Sequence, residues 1–199
     1  NRGGGACYDF EAFKAIKQIA QDYQLALHLD GARIFNAIVH KKESTVDYGN
    51  IFDSISICLS KGLGAPVGSV LVGSAEFIKK ARRWRKVFGG GMRQAGYLAA
   101  AGIYALDHHI DRLALDHKHA LLLSEVLAKK DFVSNILPVE TNIVIATITG
   151  KYTAATLAAT LKEKGVLAIA MTPTQIRFVF HLDISELDLS KTIDIINTL

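Results

Sequence analysis

The chain has 199 residues, room for one large domain or two modest ones; half are hydrophobic, 21% are charged, and 23 basic against 19 acidic side chains leave a formal net charge of +4. This is ordinary globular usage and excludes a disordered tail, a collagen-like fibre and a disulfide scaffold. Two distant cysteines, Cys7 and Cys58, without CxxC spacing speak against a zinc site and for a reducing compartment; no apolar run reaches the ~20 residues of a membrane helix, and the charge excess is mild enough that any anionic partner is to be sought in local clusters.

The chain opens on Asn1-Arg2-Gly3-Gly4-Gly5, a stretch typical of connections between elements, with no initiator Met and no targeting pattern, so further residues are expected upstream. Asp9 is placed to cap a helix. Phe10, Phe13, Ile16, Ile19, Ala20 and Tyr23 recur at helical spacing, so residues 10–23 read as an amphipathic helix. Residues 25–29 read as a short buried strand ending at Asp30-Gly31-Ala32-Arg33. Residues 54–59 read as a second, ending at Ser60-Lys61-Gly62, and 67–72 as a third. Helices alternating with short apolar strands predict an α/β domain with a parallel or mixed sheet. A strongly basic helix over 75–87 is broken by Gly89-Gly90-Gly91. Residues 92–108, rich in Ala and Gly, predict a tightly packed helix. A long helix over about 111–130 follows, with Leu113, Leu121, Leu122, Val126 and Leu127 as its apolar residues. Strand 141–148, helix 153–164, strands 166–171 and 175–182, and helix 185–199 then form a small α+β unit, with a domain boundary near residue 110.

Ligands of open α/β sheets gather at the carboxyl ends of strands, and Asp30 and Lys61 stand at two such ends, each just before a glycine. Desolvation at a cleft favours the neutral, nucleophilic form of a lysine, and a neighbouring carboxylate can hold a cationic ring nitrogen. A pyridoxal phosphate enzyme needs that pair, although by spacing alone a surface lysine and a helix-capping aspartate are the simpler reading. His28 shares a strand face with Asp30 and is placed to support it; such a histidine is more often a satisfied core residue. Arg82-Arg83-Trp84-Arg85-Lys86 has the composition of a nucleic-acid patch, but its charges spread around the helix, which suits a solvated or subunit-facing surface better. His108, His109, His117 and His119 fall on different helix faces and read as solvated, not as metal ligands. Cys7 and Cys58 read as ordinary small residues. The glycines at 89–91 stand just before Arg93, where backbone can approach a phosphate.

Four longer segments are more specific. They are His28-Leu29-Asp30-Gly31-Ala32-Arg33-Ile34-Phe35-Asn36-Ala37, Ser60-Lys61-Gly62-Leu63-Gly64-Ala65-Pro66-Val67-Gly68-Ser69, Phe88-Gly89-Gly90-Gly91-Met92-Arg93-Gln94-Ala95-Gly96 and Ile176-Arg177-Phe178-Val179-Phe180-His181-Leu182-Asp183. In this order, across nearly the whole chain, they resemble the signatures of the threonine aldolase family, the aromatic amino acid β-eliminating lyase/threonine aldolases. The resemblance implies the aspartate aminotransferase-like fold of pyridoxal phosphate enzymes (fold type I). Residues 1–109 would be the C-terminal part of the large cofactor domain and 110–199 a small α+β domain. The cofactor would be pyridoxal 5′-phosphate, and the reaction cleavage of L-threonine or L-allo-threonine to glycine and acetaldehyde. Lys61 would be the covalent anchor and Asp30 the partner of the pyridinium nitrogen. Arg33 would lie near the cofactor's phenolic oxygen and the substrate carboxylate, which Arg177 would clamp. Arg93 would reach the phosphate of a neighbouring subunit, and Ser60 is a weaker candidate for a cofactor contact. The resemblance also implies a cytoplasmic homo-oligomer, dimer or tetramer, with no metal, nucleic-acid or membrane partner. The family's N-terminal portion, with its ring-stacking residue, phosphate turn and substrate histidine, has no counterpart here, so the base for the hydroxyl proton is not assigned. The same fold hosts β-elimination and racemisation, and a fragment that only folds and associates is the non-enzymatic alternative.

Overall fold

The computed structural model describes residues 3–199; Asn1 and Arg2, the start of the glycine-rich opening, lie outside the described residues. The chain divides into two compact units, Tyr8–Asp111 and Arg112–Leu199, the latter together with residues 3–7.

The first unit begins with α1 (Phe10–Asp22). Asp9 makes no capping hydrogen bond; its Oδ1 takes the Lys41 ammonium at 2.9 Å instead. The strand expected at 25–29 starts later, as β1 (His28–Gly31): Leu25 is 63% exposed after α1, and the Leu27 N–H donates to the Asp53 carboxylate at 2.7 Å, not to a neighbouring strand. Two helices that the sequence reading passed over follow, α2 (Ile34–Lys41) and α3 (Thr45–Ile51). Lys42, in the left-handed region at φ 58°, ends α2, and the Ser44 hydroxyl accepts from the Val46 N–H to start α3. β2 (Ser54–Cys58), β3 (Ser69–Gly73), α4 (Ala75–Val87) and α5 (Gly96–His108) complete the unit.

β1 and β2 pair in parallel and β3 runs antiparallel to β2, so the sheet is mixed. β2 reads Ser-Ile-Ser-Ile-Cys, an alternating strand rather than an apolar one, and alternation sends successive side chains to opposite faces. The register pairs His28 with Ser54, Asp30 with Ser56 and Cys58 with Ser69, which gathers all six on one polar face. On the other face Ile55, flanked by Leu29 and Ile57, packs into a core of Phe13, Ile34, Ile38, Tyr48 and Phe52. Phe13 meets Tyr48 and Phe52 edge-on at 5.7 and 5.3 Å, a favoured aromatic geometry. α4 buries none of its residues, and all five residues of β3 are exposed.

The second unit holds α6 (Leu113–Leu127), β4 (Val133–Ile136), β5 (Ile143–Ile148), α7 (Ala154–Glu163), β6 (Ile169–Ala170), β7 (Gln175–Val179) and α8 (Glu186–Asn197). Its antiparallel sheet has the order β4-β5-β7-β6. α6 turns Leu113, Asp116, Ala120, Leu123 and Leu127 inward at helical spacing, whereas the expected Leu121 and Leu122 are 49% and 36% exposed. Leu123, Phe132, Val144, Ile176, Phe178 and Ile196 share the core. Capping boxes, Thr153 with Thr156 and Ser185 with Asp188, open α7 and α8. The arm of residues 3–7 lies against β5. Gly5, at φ +78°, sits where a Cβ would stand 2.2 Å from Thr141 Oγ1, and its carbonyl accepts from that hydroxyl at 2.8 Å. The Cys7 N–H then donates to Glu140 Oε2 at 2.6 Å.

Candidate active site

β1 can end beside β2 only through Gly31. A Cβ there would stand 2.7 Å from the Ser56 carbonyl oxygen and 3.1 Å from Ile55 Cγ2. The preceding residue, Asp30, is exposed, and its Oδ1 accepts from the Ala32 N–H at 3.2 Å, a local turn that delivers Arg33 to the start of α2. Among the described residues no hydrogen bond occupies its Oδ2. His28 is satisfied elsewhere, with Nδ1 2.9 Å from Ser54 Oγ.

Lys61 lies three residues beyond β2 in a loop held at several points. The Leu59 N–H donates to Gly68 O at 3.0 Å, Ala65 N–H to Leu59 O at 3.0 Å and Gly64 N–H to Lys61 O at 2.8 Å. His109 Nδ1, just past α5, donates to Leu63 O at 2.6 Å. Two of the four histidines expected to be solvated are therefore not: His109 anchors this loop, and His119 is 1% exposed with its ring 5.9 Å from Phe180.

Lys61 Nζ donates to Cys58 Sγ at 3.2 Å, and Ser69 Oγ donates to the same sulfur at 3.5 Å. The Ser69 hydroxyl, and after it Lys61, hold the Cys58 thiol below its ordinary pKa, against the opposing effects of burial and of the Asp30 charge. Lys61 itself is exposed, so this chain does not give it the desolvation expected from the sequence. Arg33, Cys58 and Gly62 line a cavity of about 10 Å³, room for a single water. Asp30, Arg33, Cys58 and Lys61 thus gather at the carboxyl ends of the two parallel strands. Ser60 and Arg93 are exposed, and Arg93 has no hydrogen-bond or ion-pair partner among the described residues. Cys58, Ser69 and His109 were not among the residues singled out for the site. The alternating Ser-Ile-Ser-Ile-Cys was the available signal for Cys58.

Arg177 belongs to the second unit. On β7 it pairs in register with Ile145, between the buried Ile176 and Phe178, so it points to the opposite face from theirs. Its Nε is buried without a hydrogen-bond partner among the described residues, a donor that a carboxylate would satisfy. A cavity of about 510 Å³ in the same unit is lined by Lys164, Phe178, Phe180, His181 and Lys191, among others, but not by Arg177. Among the described residues no cluster of His, Cys, Asp and Glu is arranged for a metal ion, and no helix is long and apolar enough to cross a membrane.

Solved structures define the class first. The chain superposes on the histidinol-phosphate aminotransferase of Clostridium acetobutylicum with a TM-score of 0.72 at 17% identity, over 100% of this chain and 62% of that one. With the threonine aldolase of Leishmania major the TM-score is 0.77 at 18% identity, over 98% and 58%. The fold is that of the aminotransferase-like α/β enzymes of fold type I. In sequence, the chain is 43% identical over 191 residues to the low specificity L-threonine aldolase of Escherichia coli K12, covering 96% of this chain and 56% of the relative. It is 42% identical over 193 residues to low-specificity L-threonine aldolase 1 of Arabidopsis thaliana, covering 96% and 54%. The Beta-eliminating lyase family matches residues 1–151, and the chain belongs to that family. It spans about half the length of the curated relatives it matches.

Proposed function

We propose that the protein is a pyridoxal phosphate lyase that cleaves the Cα–Cβ bond of L-threonine and L-allo-threonine, giving glycine and acetaldehyde. The observation that carries this reading is the convergence of Asp30, Arg33 and the Cys58-bonded Lys61 at the carboxyl ends of β1 and β2, in a chain related to threonine aldolases. The donor set suits the cofactor and its substrate: an exposed amine as anchor and, among the described residues, an Asp30 carboxylate with one oxygen uncommitted and an Arg177 Nε without a hydrogen-bond partner.

When bound, the cofactor supplies a sink for the electron pair left at Cα. Lys61 Nζ would hold it as the covalent anchor. Asp30 Oδ2 accepts from the ring nitrogen and keeps a proton there. Arg33 and Arg177 bind the substrate carboxylate, which fixes the rotation of the substrate about Cα and so selects the bond that breaks. Ser60 is assigned to a cofactor contact and Arg93 to the phosphate in a neighbouring copy, so the working form is a homo-oligomer, dimer or tetramer, in the cytoplasm. Residues 1–109 are assigned to the large cofactor domain and 110–199 to the small domain.

The test is direct. Loaded with pyridoxal phosphate, the protein should show a visible absorption band that borohydride bleaches, and should release acetaldehyde from threonine or allo-threonine. A protein that takes up no cofactor refutes the reading. The family match to β-eliminating lyases favours a second reaction on the same site, loss of the β-hydroxyl. Ammonia and a 2-oxo acid as the products, in place of glycine and acetaldehyde, would decide for it.

A further inference from the structure

We propose that Cys58 and Ser69 are positioning residues for Lys61: the Cys58 sulfur, oriented by the Ser69 hydroxyl, is the seat of Lys61 Nζ whenever that nitrogen is not bonded to a carbonyl carbon. The role rests on the reading of Lys61 as the cofactor anchor.

Three observations carry it. Cys58 and Ser69 are register partners across β2 and β3, so pairing of two strands, not chance approach of a loop, brings their side chains to one face. The sulfur receives two donors, Ser69 Oγ at 3.5 Å and Lys61 Nζ at 3.2 Å. The backbone of the lysine loop is pinned by the Leu59–Gly68 and Leu63–His109 hydrogen bonds, which leaves the long Lys61 side chain as the part still free to move. An anchor lysine must let go of its carbon when substrate arrives and return to the same carbon afterwards. Among the described residues Lys61 has no carboxylate partner, and the seat it has is sulfur, a weak acceptor. A carboxylate at that place would hold an ammonium fast. Sulfur holds Nζ within reach and releases it readily. The charged groups acting on the sulfur are Lys61, on the loop, and Asp30, on β1.

The test reads the thiol first and turnover second. In the whole protein without cofactor, the pH dependence of Cys58 alkylation by iodoacetamide is followed by mass spectrometry of its peptide. Lys61→Met should move the midpoint to higher pH and slow alkylation at neutral pH by about threefold or more, because the thiolate loses its cationic neighbour. Ser69→Ala should shift the midpoint in the same direction. Lys61 is exposed, so Lys61→Met is not expected to disturb folding. Loading with pyridoxal phosphate, which draws Nζ away, should reproduce the shift in the native protein and add nothing in Lys61→Met. A midpoint indifferent to Lys61→Met overturns the proposal. A shift in that variant with none on loading leaves the contact standing but refutes the anchor reading, and with it the role of the seat. In turnover, Cys58→Ala should lower kcat several-fold with KM unchanged, and Cys58→Ser, which keeps an acceptor, should recover most of the loss.

Discussion

Gly31→Ala tests the link between strand packing and the candidate site. The added Cβ would lie 2.7 Å from the Ser56 carbonyl oxygen, whereas ordinary contact begins at 3.4 Å, so the gap must open by about 0.7 Å. The obstacle is backbone, and no side-chain rotation relieves it; β1 must shift away from β2 over the stretch that pairs Asp30 with Ser56. Overpacking of this kind costs roughly 1–3 kcal/mol, and the reduced freedom of the unfolded chain returns roughly 0.4–1 kcal/mol. A net loss of about 1–2 kcal/mol is expected, together with weaker cofactor binding as Asp30 moves. Urea-dependent hydrogen exchange of the β1 and β2 amides measures the first, and titration with pyridoxal phosphate the second. Gly49→Ala is the control: in α3 its Cβ meets nothing within 4 Å, so it should stabilise by about 0.5–1 kcal/mol. If Gly31→Ala falls within about 0.5 kcal/mol of the native protein and binds cofactor equally well, the packing argument is wrong.

Other outcomes follow from the same contacts. Asp116 is fully buried and receives both terminal nitrogens of Arg112, at 2.7 and 3.2 Å, so Arg112→Ala should cost about 3 kcal/mol in denaturant titration, and adding Asp116→Ala should recover part of it. The Leu27 N–H first, and then Lys17, hold the Asp53 carboxyl below its usual pKa. That contribution is complete above the unfolded carboxylate range and is lost as pH falls through the folded value. Asp53→Asn should therefore destabilise by less than about 1 kcal/mol at neutral pH, and melting curves of the two proteins should converge on acidification. Lys61→Ala should abolish the visible band of the loaded protein. Asp30→Ala should still bind the cofactor, though more weakly, and should slow turnover roughly a hundredfold or more, which steady-state kinetics would show.

What the sequence disclosed depended on how local the signal was. The period of α1 and the glycine stop after α4 need only neighbouring residues, and both elements appear where expected. Leu25, Ala26 and Leu27 look like the start of a strand, but Asp53, 26 residues away from Leu27, takes the N–H that a strand would use. α2 and α3 are short and break at a left-handed Lys42, a residue type that announces no such turn. His119 was misread because the inward face of α6 also accepts a polar residue, Asp116, whose partner Arg112 lies outside the helix proper. At the candidate site, the placement of Asp30, Arg33 and Lys61 close to the ends of two strands was legible from their wording. The seat of Lys61 was not, since it depends on which residue of β3 comes to lie opposite Cys58.

Asp30 rides on an edge strand. In the order β1-β2-β3, β1 is hydrogen-bonded along one side only among the described residues. A strand docking against its outer side and a ring nitrogen docking on Asp30 Oδ2 would both stabilise the same four residues. Two ligands that favour one local arrangement must favour each other, by equal factors in either direction.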